Sequence, residues 1–189
     1  DAMTLVNNYI SRPAGRHMAG MASNGYDGGT KVTLFGGNNG TVLGDRWTFH
    51  TDRMDFSDTP ISIPTARYGQ EMAYAGTNKY VLFGGHNGTS YLNETYIFNQ
   101  DDSTWTLKKP LGTPPARGYF GMAFIGDDKV IMFAGDGAGS NDTWVYDVSD
   151  NIWTKMCTAT SPSLRQLHKL AYLGGDKVLL YGGYAAGDL

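Results

Sequence analysis

The heptapeptide KVTLFGG, residues 31–37, is the strongest indication of the fold, because close variants of it occur at three further places in the chain. The variants are KYVLFGG at 79–85, KVIMFAG at 129–135 and KVLLYGG at 177–183. Their last glycines stand at positions 37, 85, 135 and 183, so successive copies are 48, 50 and 48 residues apart. A period of about 50 residues indicates a repeat architecture in which each copy forms one supersecondary unit.

Each repeat offers segments of strand length around the glycine-ended run. An Arg-led entry precedes the run, as in PTARYGQEMAYA at 64–75, and aromatic-rich segments such as NDTWVYD at 141–147 and WTKMC at 153–157 follow it. Turn sequences including NNG, HNG and GDG separate these segments, and no segment shows sustained helical periodicity. Because the glycine-ended runs are apolar at nearly every position, we expect both faces of each sheet to be covered. A four-stranded sheet covered on both faces by copies of itself is a propeller blade.

The double glycine, the aromatic residue about a dozen positions later and the Trp beyond it resemble the kelch repeat. The resemblance implies an all-β fold, a kelch-type β-propeller with four-stranded antiparallel blades. Two positions depart from the pattern: Ala134 replaces the first glycine of the third repeat, and Phe56 stands near the Trp position of the first. We expect the glycines to let the backbone pass close to neighbouring aromatic rings and enter a tight turn.

The repeat boundaries predict one propeller domain over residues 1–189, with about three and a half blades. The expected parts are an N-terminal outer strand at 1–8, blades at 13–58, 64–109 and 114–157, and a partial blade at 162–189. Kelch-like propellers often close by lending an N-terminal strand to the last blade, and this N-terminus fits that scheme. The sequence ends where the third strand of the fourth repeat should begin, so we expect a fragment of a larger propeller of about six or seven blades. The alternatives are a small four-bladed ring with an incomplete last blade, and a homo-oligomer in which chains complete one another through exposed blade edges.

Composition narrows the classes of partner. The chain is 41% hydrophobic with a formal net charge of −3 and has no cluster of Lys and Arg, so we expect no nucleic acid and no membrane as partner. Cys157 is the only cysteine, which excludes an internal disulfide, and we expect it to be a buried apolar thiol. Asn-x-Ser/Thr sequences, as at Asn39 and Asn87, fit turns as well as glycan sites, and an extracellular or cell-surface location is slightly favoured over the cytoplasm.

The meandering strand order predicts where a ligand would bind. Loops between the second and third strands share one rim of the propeller with the residues beside each entry arginine, and they differ among the repeats while the strands recur. The candidate residues are Asn38, Asn39, His86, Asn87, Asp136 and Tyr184 from the loops, and Arg16, His17, Tyr68 and Tyr119 from the entries. The recurring Arg16, Arg67, Arg117 and Arg165 are interpreted as structural, paired with backbone or with acids between blades.

The kelch resemblance implies a non-catalytic scaffold that binds a protein, peptide or glycan through this rim. Kelch ubiquitin-ligase adaptors grip acidic peptides with basic residues on the equivalent rim, but Asn, His, Asp and Tyr stand here, so acidic peptides are not expected. The alternative is a carbohydrate-active enzyme of galactose-oxidase-like or sialate-epimerase-like type. We recognise neither the copper ligands of a galactose-oxidase-like enzyme nor the iron-binding residues of a nitrile-specifier-like protein. We also find no general acid beside the arginines, so no catalytic residue, metal ligand or cofactor is assigned.

Overall fold

The computed structural model describes residues 12–25, 28–59, 63–175 and 177–185, and within these ranges the chain forms antiparallel sheets in chain order. The first sheet contains β1 (Gly20–Ser23), β2 (Lys31–Asn38), β3 (Val42–His50) and β4 (Asp55–Thr59). The second contains β5 (Glu71–Tyr74), β6 (Lys79–Phe83), β7 (Thr95–Asn99) and β8 (Thr104–Lys108). The third contains β9 (Gly121–Phe124), β10 (Lys129–Phe133), β11 (Thr143–Asp147) and β12 (Ile152–Lys155).

The fourth repeat forms two smaller sheets. In one, β14 (Lys169–Gly174) pairs with β15 (Lys177–Tyr181); in the other, β13 (Arg165–Gln166) pairs with β16 (Tyr184–Ala185). The predicted all-β fold of four-stranded antiparallel blades is therefore confirmed. The strand predicted at 1–8 lies outside the described residues, and the blade limits and the blade number of a complete ring stay predictions.

The second sheet has an apolar core on each face, as its uninterrupted apolar run predicts. All four residues from Tyr80 to Phe83 in β6 are buried. Val81 and Phe83 belong to the core shared with the third sheet, whereas Tyr80 and Leu82 belong to the core shared with the first. Side chains alternate between the faces of a strand, so one continuous run serves two interfaces. Each such burial stabilises the fold by about 1.5–3 kcal/mol.

The glycine pairs lie at the junctions between repeats. Gly84 has a φ of 61°, and a Cβ there would lie 2.5 Å from the carbonyl oxygen of Arg117, with the Phe120 ring at 3.2 Å. The amide of Gly85 donates to the same Arg117 oxygen at 2.9 Å. The nearest neighbour of the glycine is thus the backbone of the next repeat, and the expected aromatic ring is only the second contact.

The entry arginines fold back into their own repeats. Arg117 is fully buried and its Nη1 donates to Asp142 Oδ1 at 2.6 Å and to the carbonyl oxygen of Ala134 at 3.0 Å. Arg67 and Arg16 have the same arrangement. They pair with Glu94 at 2.6 Å and Asp45 at 2.5 Å, and they bond the carbonyls of Gly84 and Gly36. The interpretation of these arginines as structural therefore fits, but the acids belong to the same repeat and do not lie between blades.

One further sequence expectation can be compared with the structure. Cys157 is an exposed free cysteine, so the expectation of a buried thiol was wrong. The physical reason is its position: β12 ends at Lys155, and the residues from Met156 to Ser163 are exposed. In the described ranges, no helix has the length and apolar character needed to cross a bilayer.

Candidate binding rim

In every repeat, the residue after the entry arginine pairs with the residue after the second glycine of the glycine-ended run. Antiparallel bridges join His17 to Asn38, Tyr68 to His86, Gly118 to Asp136, and Gln166 to Tyr184. The loop residues and the entry residues, which the meandering strand order predicts to share one rim, are thus direct neighbours. Whether these residues bind a ligand stays a prediction.

A backbone ladder connects the repeats beside these bridges. The amide of Gly69 donates to Met18 O at 2.8 Å, Tyr119 N donates to Gly69 O at 2.7 Å, and Leu167 N donates to Tyr119 O at 2.7 Å. The four residues Met18, Gly69, Tyr119 and Leu167 all have φ between 56° and 67°. Non-glycine residues with such φ values are uncommon and occur mainly where the surrounding structure imposes the conformation. We call this series the inner ladder.

Four aromatic rings and one carboxylate converge beside the inner ladder. The ring centroids lie 5.4 Å apart for Tyr68 and His86, 4.9 Å for His86 and Tyr91, 6.4 Å for Tyr91 and Tyr119, and 6.3 Å for Tyr119 and Tyr68. The contacts form a closed circuit. The Tyr91 hydroxyl also donates a short hydrogen bond to Asp136 Oδ2. We call these five residues the aromatic rim cluster.

Glycines provide the space in which the tyrosines of the cluster lie. A Cβ on Gly69 would come within 2.7 Å of the Tyr119 ring, and a Cβ on Gly137 would come within 2.7 Å of the Tyr91 ring. Real Cβ atoms do not approach rings so closely. The positions of both rings therefore depend on these two residues lacking a side chain.

Two phenols of the cluster, those of Tyr91 and Tyr119, are held in their neutral form. Burial raises the pKa of Tyr119 to about 12, and the neighbouring Tyr68 raises it further. Burial also raises the pKa of Tyr91, and the hydrogen bond to Asp136 acts in the same direction. A phenol with a raised pKa is a poor general base or nucleophile at neutral pH. The cluster consequently offers neutral hydroxyl groups and ring faces to a ligand.

The asparagine side chains of the loops are committed to their own turns. Asn38 Oδ1 accepts from Gly40 N at 2.8 Å, Asn39 Oδ1 accepts from the Thr41 hydroxyl at 3.0 Å, and Asn87 Oδ1 accepts from Ser90 N at 2.8 Å. These are turn-forming bonds of the kind Asn makes in loops. The structure thus gives the three asparagines a local role.

The remaining predicted residues do not belong to the aromatic rim cluster. Arg16 is paired with Asp45, His17 is exposed beside Asn38, and Tyr184 lines a hollow together with Asp136 and Arg165. Sequence reasoning therefore assembled Tyr68, His86, Tyr119 and Asp136, which the structure brings together. It missed Tyr91, although this aromatic residue stands in the same loop as His86 and could have been found on that ground.

The described ranges contain no group of three or more His, Cys, Asp or Glu residues placed to hold a metal ion. The aromatic rim cluster contains one carboxylate, that of Asp136.

The fold and the rim define a kelch-type β-propeller domain. A comparison with family models matches residues 3–187 to the KLHDC2/KLHL20/DRC7 Kelch-repeats domain, so the chain belongs to this kelch-repeat family. No curated protein matches the chain significantly.

Proposed function

We propose that this kelch domain is a non-catalytic scaffold that binds a peptide segment of a partner protein at the aromatic rim cluster. The observation that carries the proposal is the closed circuit formed by Tyr68, His86, Tyr91 and Tyr119. Kelch domains generally bind proteins, and tyrosine, of which the cluster has three partly exposed copies, is among the residues that most often dominate protein interfaces.

The carbohydrate-active alternative has less support. General acid–base catalysis needs a group whose pKa lies near the working pH. Burial moves the pKa of Tyr119 upward to about 12, away from that range. Glycan binding by the ring faces is an alternative that the same experiment separates from peptide binding.

The test is selection of a random peptide library on the 189-residue chain, followed by affinity measurement for the enriched peptides. We expect the double variant Tyr68→Ala/Tyr91→Ala to lose at least about tenfold in affinity, since it removes two ring faces. The matched control is Leu107→Ala, an apolar side chain that is 47% exposed on β8, the outer strand of the second repeat. Peptides that bind the double variant as well as the unaltered chain would overturn the proposal, as would exclusive binding of glycans.

We infer that exposed apolar side chains of the fourth repeat support self-association. Leu173, Leu179 and Tyr181 are 63%, 47% and 78% exposed, and contiguous apolar surface favours association. Light scattering over a concentration series is the measurement, with Leu179→Lys/Tyr181→Lys as the variant. A mass that stays monomeric for the unaltered chain at all concentrations would contradict this inference.

A further inference from the structure

We propose that the peptide group taken by the aromatic rim cluster is a cationic side chain, that of Arg or Lys. This inference rests on the proposed function and specifies the chemistry of its ligand. Three observations of the described residues carry it. They are the ring circuit, the exposed carboxylate at its edge, and the bonding of the nearby arginines within their own repeats.

The ring circuit offers aromatic faces in several orientations. The interplanar angles are 53° between Tyr68 and His86, 80° between His86 and Tyr91, and 85° between Tyr91 and Tyr119. A cation placed near such rings is attracted by the negative potential of their faces, and guanidinium groups can also stack on them. Rings at steep mutual angles let one cation contact more than one ring.

The carboxylate of Asp136 supplies the negative charge. Its Oδ1 accepts from Gly137 N at 2.9 Å and its Oδ2 accepts from the Tyr91 hydroxyl, so the carboxylate is fixed in place. A carboxylate oxygen has more than one acceptor position, and Asp136 is exposed, so both oxygens retain capacity for a ligand. A fixed carboxylate beside aromatic rings fits a guanidinium or an ammonium group.

The arginines near the cluster make their hydrogen bonds within their own repeats. Arg67 and Arg117 immediately precede Tyr68 and Gly118, and both are fully buried in ion pairs with Glu94 and Asp142. Arg165, which lines the hollow beside Asp136, donates to Gly182 O at 3.0 Å and to Ser163 Oγ at 2.8 Å. The carboxylate of Asp136 therefore has no ion-pair partner among the described residues, and a ligand cation can supply the opposite charge.

The test uses three capped glycine-rich peptides that differ in one central residue, which is arginine, its uncharged isostere citrulline, or glutamate. Binding is followed by NMR on the 189-residue chain with labelled tyrosine rings. We expect the arginine peptide to shift the ring resonances of Tyr68, Tyr91 and Tyr119, and the citrulline peptide to bind at least about fivefold more weakly. Added salt should also weaken binding of the arginine peptide, because salt screens the attraction between its guanidinium group and Asp136.

Two variants examine the carboxylate directly. Asp136→Asn keeps the shape of the turn. It should lower the affinity for the arginine peptide about three- to tenfold and leave the affinity for the citrulline peptide unchanged. The matched control is Asp58→Asn, an exposed aspartate on β4 of the first repeat, which should change neither. Tyr91→Phe keeps the ring and releases Asp136 Oδ2, so the arginine peptide should bind at least as tightly.

Each contrary result has a defined meaning. Equal binding of the arginine and citrulline peptides, tighter binding of the glutamate peptide, absence of ring shifts, or an Asp136→Asn variant without effect would each overturn the inference. If library peptides bind through Tyr68 and Tyr91 but carry no basic residue, the inference fails while the proposed function stands. If library peptides ignore the Tyr68→Ala/Tyr91→Ala change, the proposed function itself fails.

Discussion

The Lys169 ammonium of the fourth repeat forms an ion pair with the Glu71 carboxylate of the second repeat, so a direct contact joins two sheets that are separated by a third. The two residues lie two positions beyond the inner ladder residues Leu167 and Gly69. Together with Tyr119 they line a hollow between the innermost strands. The ion pair therefore joins the second and fourth repeats across the inner side of the described arc.

Removal of the Lys169 charge should destabilise the domain in a pH-dependent way. Burial raises the pKa of Glu71, while Lys169 lowers it, so Lys169→Met should raise this pKa further. We expect a loss of about 1–2 kcal/mol of unfolding free energy at neutral pH. The loss should disappear as the pH falls and Glu71 becomes protonated. Urea unfolding at several pH values measures it.

A double-mutant cycle provides the control for the ion pair. In a Glu71→Gln background there is no charge to compensate, so Lys169→Met should then cost little. An equal loss in both backgrounds would show that Lys169 stabilises the domain through packing and not through its charge.

Replacement of Arg117 should have one of the largest effects on stability in the chain. Arg117→Met would leave the 5%-exposed carboxylate of Asp142 without its main partner and two backbone carbonyls unbonded. Breaking a buried ion pair in this way costs about 3–5 kcal/mol. Arg53→Met is the control, because that guanidinium is 56% exposed and its pair with Asp55 should contribute less than about 1 kcal/mol. Similar denaturation midpoints for the two variants would contradict this account.

Opposite substitutions at Gly84 and Ala134 should have unequal effects. Gly84→Ala would place a Cβ 2.5 Å from Arg117 O at a φ of 61°, and we expect it to cost more than about 2 kcal/mol. Ala134 already has a side chain at a φ of 50°. Ala134→Gly relieves that conformation but removes a buried methyl group, so we expect a change within about 1 kcal/mol. Thermal denaturation of both variants gives the comparison, which would fail if Gly84→Ala were tolerated.

The buried His168 should make the junction of the third and fourth repeats sensitive to acid. Its Nε2 accepts from Gly121 N at 3.0 Å, and burial lowers its pKa to about 4, with Arg165 and Lys169 contributing. A histidine whose pKa falls on folding stabilises the protein above its unfolded pKa. That stabilisation is lost as the pH falls from about 6.5 towards 4. Allowing for solvent screening, we expect a decrease of no more than about 2 kcal/mol.

The control for His168 comes from the second repeat, where Gln70 occupies the equivalent position and donates to Phe35 O at 2.8 Å. His168→Gln should fold and should show no comparable decrease between pH 6.5 and pH 4, as followed by urea midpoints. An unchanged pH profile in that variant would assign the acid sensitivity to other groups.

The central strands were predictable because their sequence carries a strong local pattern. The four glycine-ended runs begin at Lys31, Lys79, Lys129 and Lys177, and strands β2, β6, β10 and β15 begin at the same residues. Uniform apolarity predicted burial on both faces, and β6 has it. The contact of the first glycine in a pair, Gly36 with Arg67 and Gly84 with Arg117, was not predictable, because the arginine belongs to the next repeat and the contact depends on how tightly two sheets pack.

The candidate site was predictable only in part, because contacts between its residues depend on packing and not on the local sequence pattern. The connections of a meandering sheet alternate between its two rims, so the strand order alone predicted that Tyr68 and His86 share one rim. Tyr91 could have been assigned to the same loop as His86, but spacing gives no direction to a side chain in an irregular loop, so its contact with Asp136 was not predictable. The Glu71–Lys169 pair joins residues 98 positions apart and depends on the curvature of the whole arc, which no local pattern records.

The inner ladder consists of main-chain amide and carbonyl groups, which every residue except proline possesses. Cohesion between repeats at this edge is therefore largely indifferent to the side chains that border it, such as those of His17, Tyr68 and Gln166. Genes for such domains can accumulate substitutions there without loss of folding, so related kelch domains can diverge towards unrelated ligands, and protein engineers can randomise the same positions.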